Sequence, residues 1–274
     1  MANTATHQLP PGDCADKGFD PSPLPHRPVQ WRRAADAMRR LHQGYDNGAA
    51  LDYASALEGD DGERYFQAFL AEPGAADLLR ERPRLDARLD DFEALAELPD
   101  RSLGRVYLAL AQRDAIRVAD LIEAAQAQPD AHERAPDEVR RWFYARMVAS
   151  HDLLHVITGY ERDSPGELLL LAFTQAIVPK TVFRVSLALG SLGVPLRHKL
   201  PFALDTVRAY RRGRAARIPR SLPWDDLLGL QIDEVRARLR VASTAQTHHG
   251  RCWREEDGTN AWLHLAAEDS VASA

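Results

Sequence analysis

Apolar residues recur at three- and four-residue spacing along most of the chain, and no β-branched run alternates in and out. This pattern predicts an all-α protein. Residues 31–43 (WRRAADAMRRLHQ) and 61–81 read as amphipathic helices, the second broken at Pro73-Gly74. Ser102 is placed to cap a helix whose stripe runs Leu103, Val106, Tyr107 and Leu110 and continues at Leu121 and Ile122. Pro136, with Asp137 and Glu138 behind it, opens a helix that reaches about Thr158 and stops at Gly159. One strongly apolar helix is expected over 167–190, and further helices over 201–213 and 231–240. The expected organisation is a disordered or extended segment 1–30, a single helical domain 31–242 and an irregular tail 243–274. In that tail Trp253, Trp262 and Leu263 leave room for a short docked helix.

On a wheel of 100° per residue, the 136–158 segment places Phe143, Tyr144, Met147, His151, Leu154 and His155 in one broad stripe. Trp142, Ala145, Ala149, Leu153 and Val156 cover the other side. A helix apolar nearly all round is buried, so His151, Asp152 and His155 are expected inside, where a carboxylate and two imidazoles must be satisfied. Residues four apart share a face, with Cβ atoms about 5–6 Å apart, so two histidine nitrogens can meet one cation at about 2.0–2.1 Å. Asp152 reaches the rim of that site, and Glu167, at the start of the next helix, can return across the loop. On spacing alone the alternative stays open that these are core histidines satisfied by their neighbours.

Composition narrows the function classes. The 274-residue chain has a formal net charge of −5, so no nucleic-acid partner is expected. Its one basic run, Arg208 to Arg220, is interrupted by Gly213 and Pro219 and reads as a solvated helix end. Cys14 and Cys252 stand far apart, which supports neither a disulfide framework nor a thiolate metal site and suits a reducing compartment. The first thirty residues have the pattern of neither a secretory signal nor a transit peptide, so a cytoplasmic protein is expected, with peripheral contact on the inner face of the membrane. The 167–190 segment approaches the length of a membrane span but carries Gln175, Pro179, Lys180 and Arg184, which favour a core or pocket-lining helix.

The string HDLLHVITGYERDSPGE gives His151-Asp152, His155 and Glu167 in the order H-D-x-x-H-x11-E, and with it the chain resembles the ubiquinone (coenzyme Q) biosynthesis protein COQ-four family. LPDRSLGRVY at 98–107 is similar to that family's LPxGSLGxxY stretch, with Arg101 standing where glycine is usual. LPWDDLLGLQIDEVRARLRV at 223–242 is similar to its closing segment, so the resemblance covers about 70–242.

The resemblance implies a divalent metal, usually zinc, with iron or manganese as alternatives, held by His151, Asp152, His155 and Glu167 as the catalytic set. It implies action on a polyprenylated quinone precursor, replacing the ring carboxyl at C1 with a hydroxyl. The runner-up is a lipid-binding scaffold for other quinone-biosynthesis enzymes, with a structural metal. Phe173 and Ile177 are offered as an apolar wall for a polyprenyl tail, and Lys180 and Arg184 as partners of a carboxylate. Ordinary core packing is the competing account of those four, and a homodimer is a further expectation. A phosphohydrolase of the HD type is disfavoured, because its additional histidine and aspartate ligands have no counterparts.

Overall fold

The computed structural model describes residues 19–43, 47–194, 196–248, 251–256 and 261–266. The segment 1–18, with Cys14, and the last residues of the expected tail lie outside them. In chain order the first helices are α1 (Trp31–Gln43), α2 (Asn47–Glu58), α3 (Asp61–Leu70), α4 (Ala75–Glu81), α5 (Leu85–Asp90) and α6 (Phe92–Ala96). There follow α7 (Leu103–Arg113), α8 (Val118–Gln126), α9 (Ala131–Arg134), α10 (Glu138–Thr158), α11 (Ser164–Ile177) and α12 (Thr181–Gly193). A 3₁₀ turn (Leu196–His198) leads to α13 (Lys199–Ala215), α14 (Trp224–Leu227), α15 (Ile232–Leu239) and α16 (Thr244–Thr247), then strands β1 (Arg251–Glu256) and β2 (Ala261–Ala266). The fold is all-α as the periodicity predicts, with one antiparallel hairpin among the described residues.

The chain forms two compact units, one of residues up to 84, 122–147 and 219–223, the other of 85–121, 148–218 and 224 onward. In the first, α3, α4 and the opening turns of α10 enclose Phe66, Phe69, Leu78, Leu79, Trp142 and Phe143. Residues 19–30 are extended and bound to this core. Buried Arg140 donates to the carbonyls of Asp20 (3.0 Å) and Ser22 (2.8 Å) and to both Glu63 carboxylate oxygens (3.0 and 2.9 Å). Asp137 caps α10 by accepting from the Arg140 amide at 2.8 Å, so the helix opens just after Pro136.

In the second unit Ser102 accepts from the Arg105 amide and caps α7, whose predicted stripe Leu103, Val106, Tyr107 and Leu110 is buried. The stripe does not continue to Leu121 and Ile122 on one helix. α7 stops at Arg113, Ala115 takes a positive φ of 51°, and those two residues are half-buried on α8. The 228–232 segment supplies acceptors for the first amides of α7, with Leu103 N to Leu230 O and Gly104 N to Leu228 O both at 2.8 Å. The two family-like stretches, 98–107 and 223–242, therefore meet.

Two further expectations are corrected. The apolar 167–190 helix is two helices, because Pro179 lacks an amide hydrogen and pushes the preceding Val178 out of the helical region, and α12 starts afresh after an extended Lys180. Among the described residues of the tail, 251–256 and 261–266 form neither irregular chain nor a docked helix, since β1 and β2 pair from Arg251↔Ala266 to Glu256↔Ala261. Trp253 anchors this hairpin, 1% exposed, its indole donating to Asp205 Oδ2 at 2.8 Å. The spacing also passes over α2, which is apolar with no marked polar face.

Arg101, standing where the resembling family favours glycine, has φ of 59°. A left-handed L-residue costs roughly 1–2 kcal/mol, and glycine returns part of that as extra freedom of the unfolded chain. Arg101→Gly is expected to stabilise the chain by about 0.5–1 kcal/mol, raising Tm by about 1–3 °C in differential scanning calorimetry. A lower Tm would mean the exposed Arg101–Asp233 pair, at 3.5 Å, outweighs the backbone term.

Candidate metal centre

The last two turns of α10 and the first turn of α11 bring three ligand atoms together. His151, His155 and Glu167 each offer a donor, all within 4.8 Å of one another. His155 Nε2 lies 3.2 Å from Glu167 Oε1, and His151 Nε2 lies 3.8 Å from Glu167 Oε2. Atoms bound to one ion at about 2.1 Å stand roughly 3–4 Å apart, so the two histidine–carboxylate separations suit a single small cation.

The eleven-residue spacer works through its caps. Gly159, with φ of 72°, ends α10, its amide donating to His155 O at 2.8 Å. The Asp163 side chain accepts from the Gly166 amide at 2.9 Å and starts α11, with Pro165 in the first turn and Glu167 following it. A Cβ on Gly166 would sit 2.1 Å from the Glu161 carbonyl oxygen, so only glycine lets α11 begin this close to the turn. Arg236 fixes the other side of α10's end, donating to the carbonyls of Ile157 (3.0 Å) and Val156 (3.3 Å). Arg212 donates to the Thr158 carbonyl at 2.8 Å, which puts two cations at a helix C-terminus.

His155 is fully buried, and its Nδ1 faces the Tyr160 carbonyl at 2.9 Å. A carbonyl can only accept, so Nδ1 carries a hydrogen, and whenever the ring is neutral Nε2 presents a bare lone pair. That nitrogen has no hydrogen-bond partner among the described residues and points at a carboxylate oxygen. Two lone-pair atoms face each other, which only a proton or a metal cation between them reconciles. The donor set therefore fits a divalent cation, with the Tyr160 carbonyl orienting the ligand.

Asp152 stands beside the three-residue cluster. Its Oδ1 is 3.6 Å from His151 Nδ1 and 3.1 Å from Arg162 Nε, and the residue is 1% exposed. Burial disfavours its charge, yet the neighbouring His151, Arg162 and His155 hold its pKa down at about 2. Burial likewise opposes ionisation of Glu167, and His155 and His151 outweigh it and lower its pKa. For His151 burial opposes protonation, while Asp152 and Glu167 raise its pKa. Buried Tyr107 lies in this field too, its hydroxyl made less acidic by burial and then by the charge of Asp152.

The site is open on one side. His151 and Glu167 side chains are 45% and 34% exposed, against 0% for His155, so the expectation of a fully interior His151 is corrected. The first turn of α11 holds one carboxylate at a surface while the C-terminal end of α10 provides the floor.

The four proposed substrate residues are split by the break at Pro179. Phe173 is fully buried on α11, which packs extensively on α13, and Ile177 is half-buried at the end of α11. Lys180 is buried as the N-cap of α12, and Arg184 is exposed one turn on, donating to Thr181 Oγ1 at 3.1 Å. Spacing did not single out Tyr160, Arg162, Asp163 or Gly166. Only the turn-forming character of the last two was a usable signal.

Gly166→Ala tests the spacer's geometry. The clash with backbone displaces Glu167, so loss of tight zinc binding is expected with helicity retained, read by metal titration and circular dichroism. Unchanged affinity would mean the turn yields without moving the carboxylate.

The family model described as "Coenzyme Q (ubiquinone) biosynthesis protein Coq4" matches residues 62–245. Among similar proteins, the mitochondrial ubiquinone biosynthesis protein coq4 of Aspergillus flavus is 28% identical over 183 residues, covering 65% of this chain and 60% of that protein. The protein of the same name from Aspergillus fumigatus is 27% identical over 205 residues, covering 71% and 67%. The matched region thus spans about 60% of the A. flavus relative's length. A crystal structure of a putative ubiquinone biosynthesis protein from Nostoc punctiforme shares the fold, with a TM-score of 0.59 at 21% identity over 78% of this chain and 98% of that one. With the model matched across most of the chain and HDxxH and its distant glutamate folded together, this chain belongs to the Coq4 family.

Proposed function

We propose that the chain acts in ubiquinone biosynthesis as a metal-dependent enzyme that exchanges the C1 carboxyl of a polyprenylated aromatic acid for a hydroxyl. The observation that carries the reading is the approach of His155 Nε2 and Glu167 Oε1 to 3.2 Å at a site open on the side of His151 and Glu167. A closed structural ion has its ligands enclosed, whereas a reacting one keeps a side free.

His151, His155 and Glu167 would hold the ion, with Asp152 orienting His151 from its Nδ1 side. Zinc bound there would act as a Lewis acid on a ring carboxylate or phenolate, and iron or manganese would add electron transfer. The carboxyl leaves as carbon dioxide with both its oxygens, so the new ring oxygen has another source. With water as the source of that oxygen and dioxygen as the two-electron acceptor, the balance closes as the phenol, carbon dioxide and hydrogen peroxide. His151 and then Arg162 keep the Asp152 carboxylate ionised, and buried Tyr107 lies within its field. The depressed pKa of Asp152 keeps it an anion across the physiological range, suited to orienting His151 and not to holding a proton. Membrane contact, association with other enzymes of the pathway and self-association belong to this proposal. Among the described residues no helix is long and apolar enough to cross a membrane.

A second reading rests on the burial of His155 and Asp152: an ion joining α10 to α11 would be structural, in a scaffold that presents lipid intermediates. The two readings part on metal removal. Purified full-length protein is expected to hold about one ion per chain by elemental analysis and to stay helical after chelation. Loaded in turn with zinc, iron and manganese, it is expected to release carbon dioxide from a prenylated 4-hydroxybenzoate under oxygen, and His155→Ala to abolish both ion and release. Cooperative unfolding on chelation, with no release under any metal, would replace the enzyme by the scaffold.

A further inference from the structure

In the basic run Arg208 to Arg220, Arg211, Arg214 and Arg217 are exposed as a solvated helix end would be, but one member is not. Arg212, on α13, is only 3% exposed. Its Nη2 donates to the carbonyls of Thr158 (2.8 Å) and Ala242 (2.5 Å), and its guanidinium lies 4.9 Å from the centre of the Tyr160 ring. Nε and Nη1 are buried without a hydrogen-bond partner among the described residues, and no carboxylate there pairs with the group. A buried cation without a counter-ion is costly, and two carbonyls and a ring compensate only part of it.

Arg212 lines a cleft of about 260 Å³ with Arg208, Arg211, Arg240, Ala242 and Thr247. No acidic residue lines it, and none of the metal-cluster residues does. Arg208 is engaged by Asp205 at 2.6 Å, while Arg211 and Arg240 are exposed with no ion-pair partner among the described residues. The local field is positive enough that buried His248 is pushed down to about 4, by burial first and then by Arg212. Guanidinium groups converging on one space match the oxygens of a tetrahedral dianion, which takes paired N–H donors.

We propose that this cleft binds a phosphate-bearing ligand, a phosphomonoester or diphosphate, with Arg212 as its buried anchor and Arg211 and Arg240 on its flanks. The site goes beyond the metal chemistry and stands without it. Two sources carry this group, a soluble phosphate and a lipid headgroup, and the surface beside the cleft makes the second worth a separate arm. Leu200, Leu204 and Val207 are 71%, 50% and 47% exposed and lie with Arg211 in an arc of about 60° on α13.

The test uses the full chain, inorganic pyrophosphate followed by titration calorimetry, and sedimentation with vesicles of phosphatidylcholine alone or containing phosphatidic acid. Saturable pyrophosphate binding is expected, weakened about tenfold for each arginine lost in Arg211→Glu and Arg240→Glu. Both residues are exposed, so these variants should fold, which circular dichroism verifies; Arg212→Gln adds the anchor. His155→Ala should bind pyrophosphate as the parent does. Vesicle retention that needs phosphatidic acid and falls in Leu200→Ser and Arg240→Glu assigns the ligand to a lipid headgroup. Pyrophosphate binding without vesicle retention assigns it to a soluble phosphate. No binding of either probe would overturn the site, as would binding that survives both charge reversals. The same holds for binding lost equally in Arg214→Glu, outside the cleft, or lost in His155→Ala, which would move the anion to the metal cluster.

Discussion

Everything at the candidate centre depends on a hydrogen that the Tyr160 carbonyl claims. By accepting from His155 Nδ1, it settles the tautomer and turns the opposite nitrogen, bare, toward Glu167. The constraint is backbone in origin and costs no side chain. It is set by how α10 ends, with a left-handed glycine and then a residue whose carbonyl points back at the ring one turn earlier. Remove the carbonyl's orientation and the imidazole is free to place its hydrogen at Nε2 and satisfy Glu167 directly, with no call for an ion.

That dependence explains why so much of the surrounding hydrogen bonding serves the end of α10 and not the ligands themselves. Carbonyls 156 to 158 would be orphaned at a buried helix terminus, and Arg236 and Arg212 take them. Arg162 does for Asp152 what these two do for the backbone, holding a buried charge in place. Each arginine is amphipathic enough to be buried along its stem and still deliver its donors, which a lysine with one point charge would do less well.

The sequence showed the helical class because burial imposes the 3.6-residue period directly on residue type. It pointed to His151, His155 and Glu167 because two residues one helical turn apart and a third at the next helix start form a local pattern. The family resemblance supplied a ligand set with Asp152 added, of which the fold gathers these three. It did not show the break between α11 and α12, although Pro179 was visible there. Periodicity counts apolar residues and continues across a residue whose effect is on backbone geometry. Nor did it show that Arg212 is buried: the neighbouring arginines are exposed, and one residue's phase on α13 separates the two fates. Tyr160 was illegible for a different reason, since it contributes a carbonyl, which every residue has.

Unequal exposure of the three ligands divides their work. His155, wholly enclosed and fixed by Tyr160, is the rigid member, so its geometry is set before any ion arrives. His151 and Glu167 are reached by solvent and have Asp152 and Arg162 near them to bias their charge. On the proposed reading an ion would meet the two more exposed residues first and the buried histidine last, and the same opening would admit an anionic substrate. A site intended only to join α10 and α11 would gain from burying Glu167 as deeply as His155, because desolvation strengthens each metal–ligand interaction. Leaving that carboxylate a third exposed gives up this gain, and the exposed edge is the feature on which the proposed enzyme reading, as against the structural one, rests.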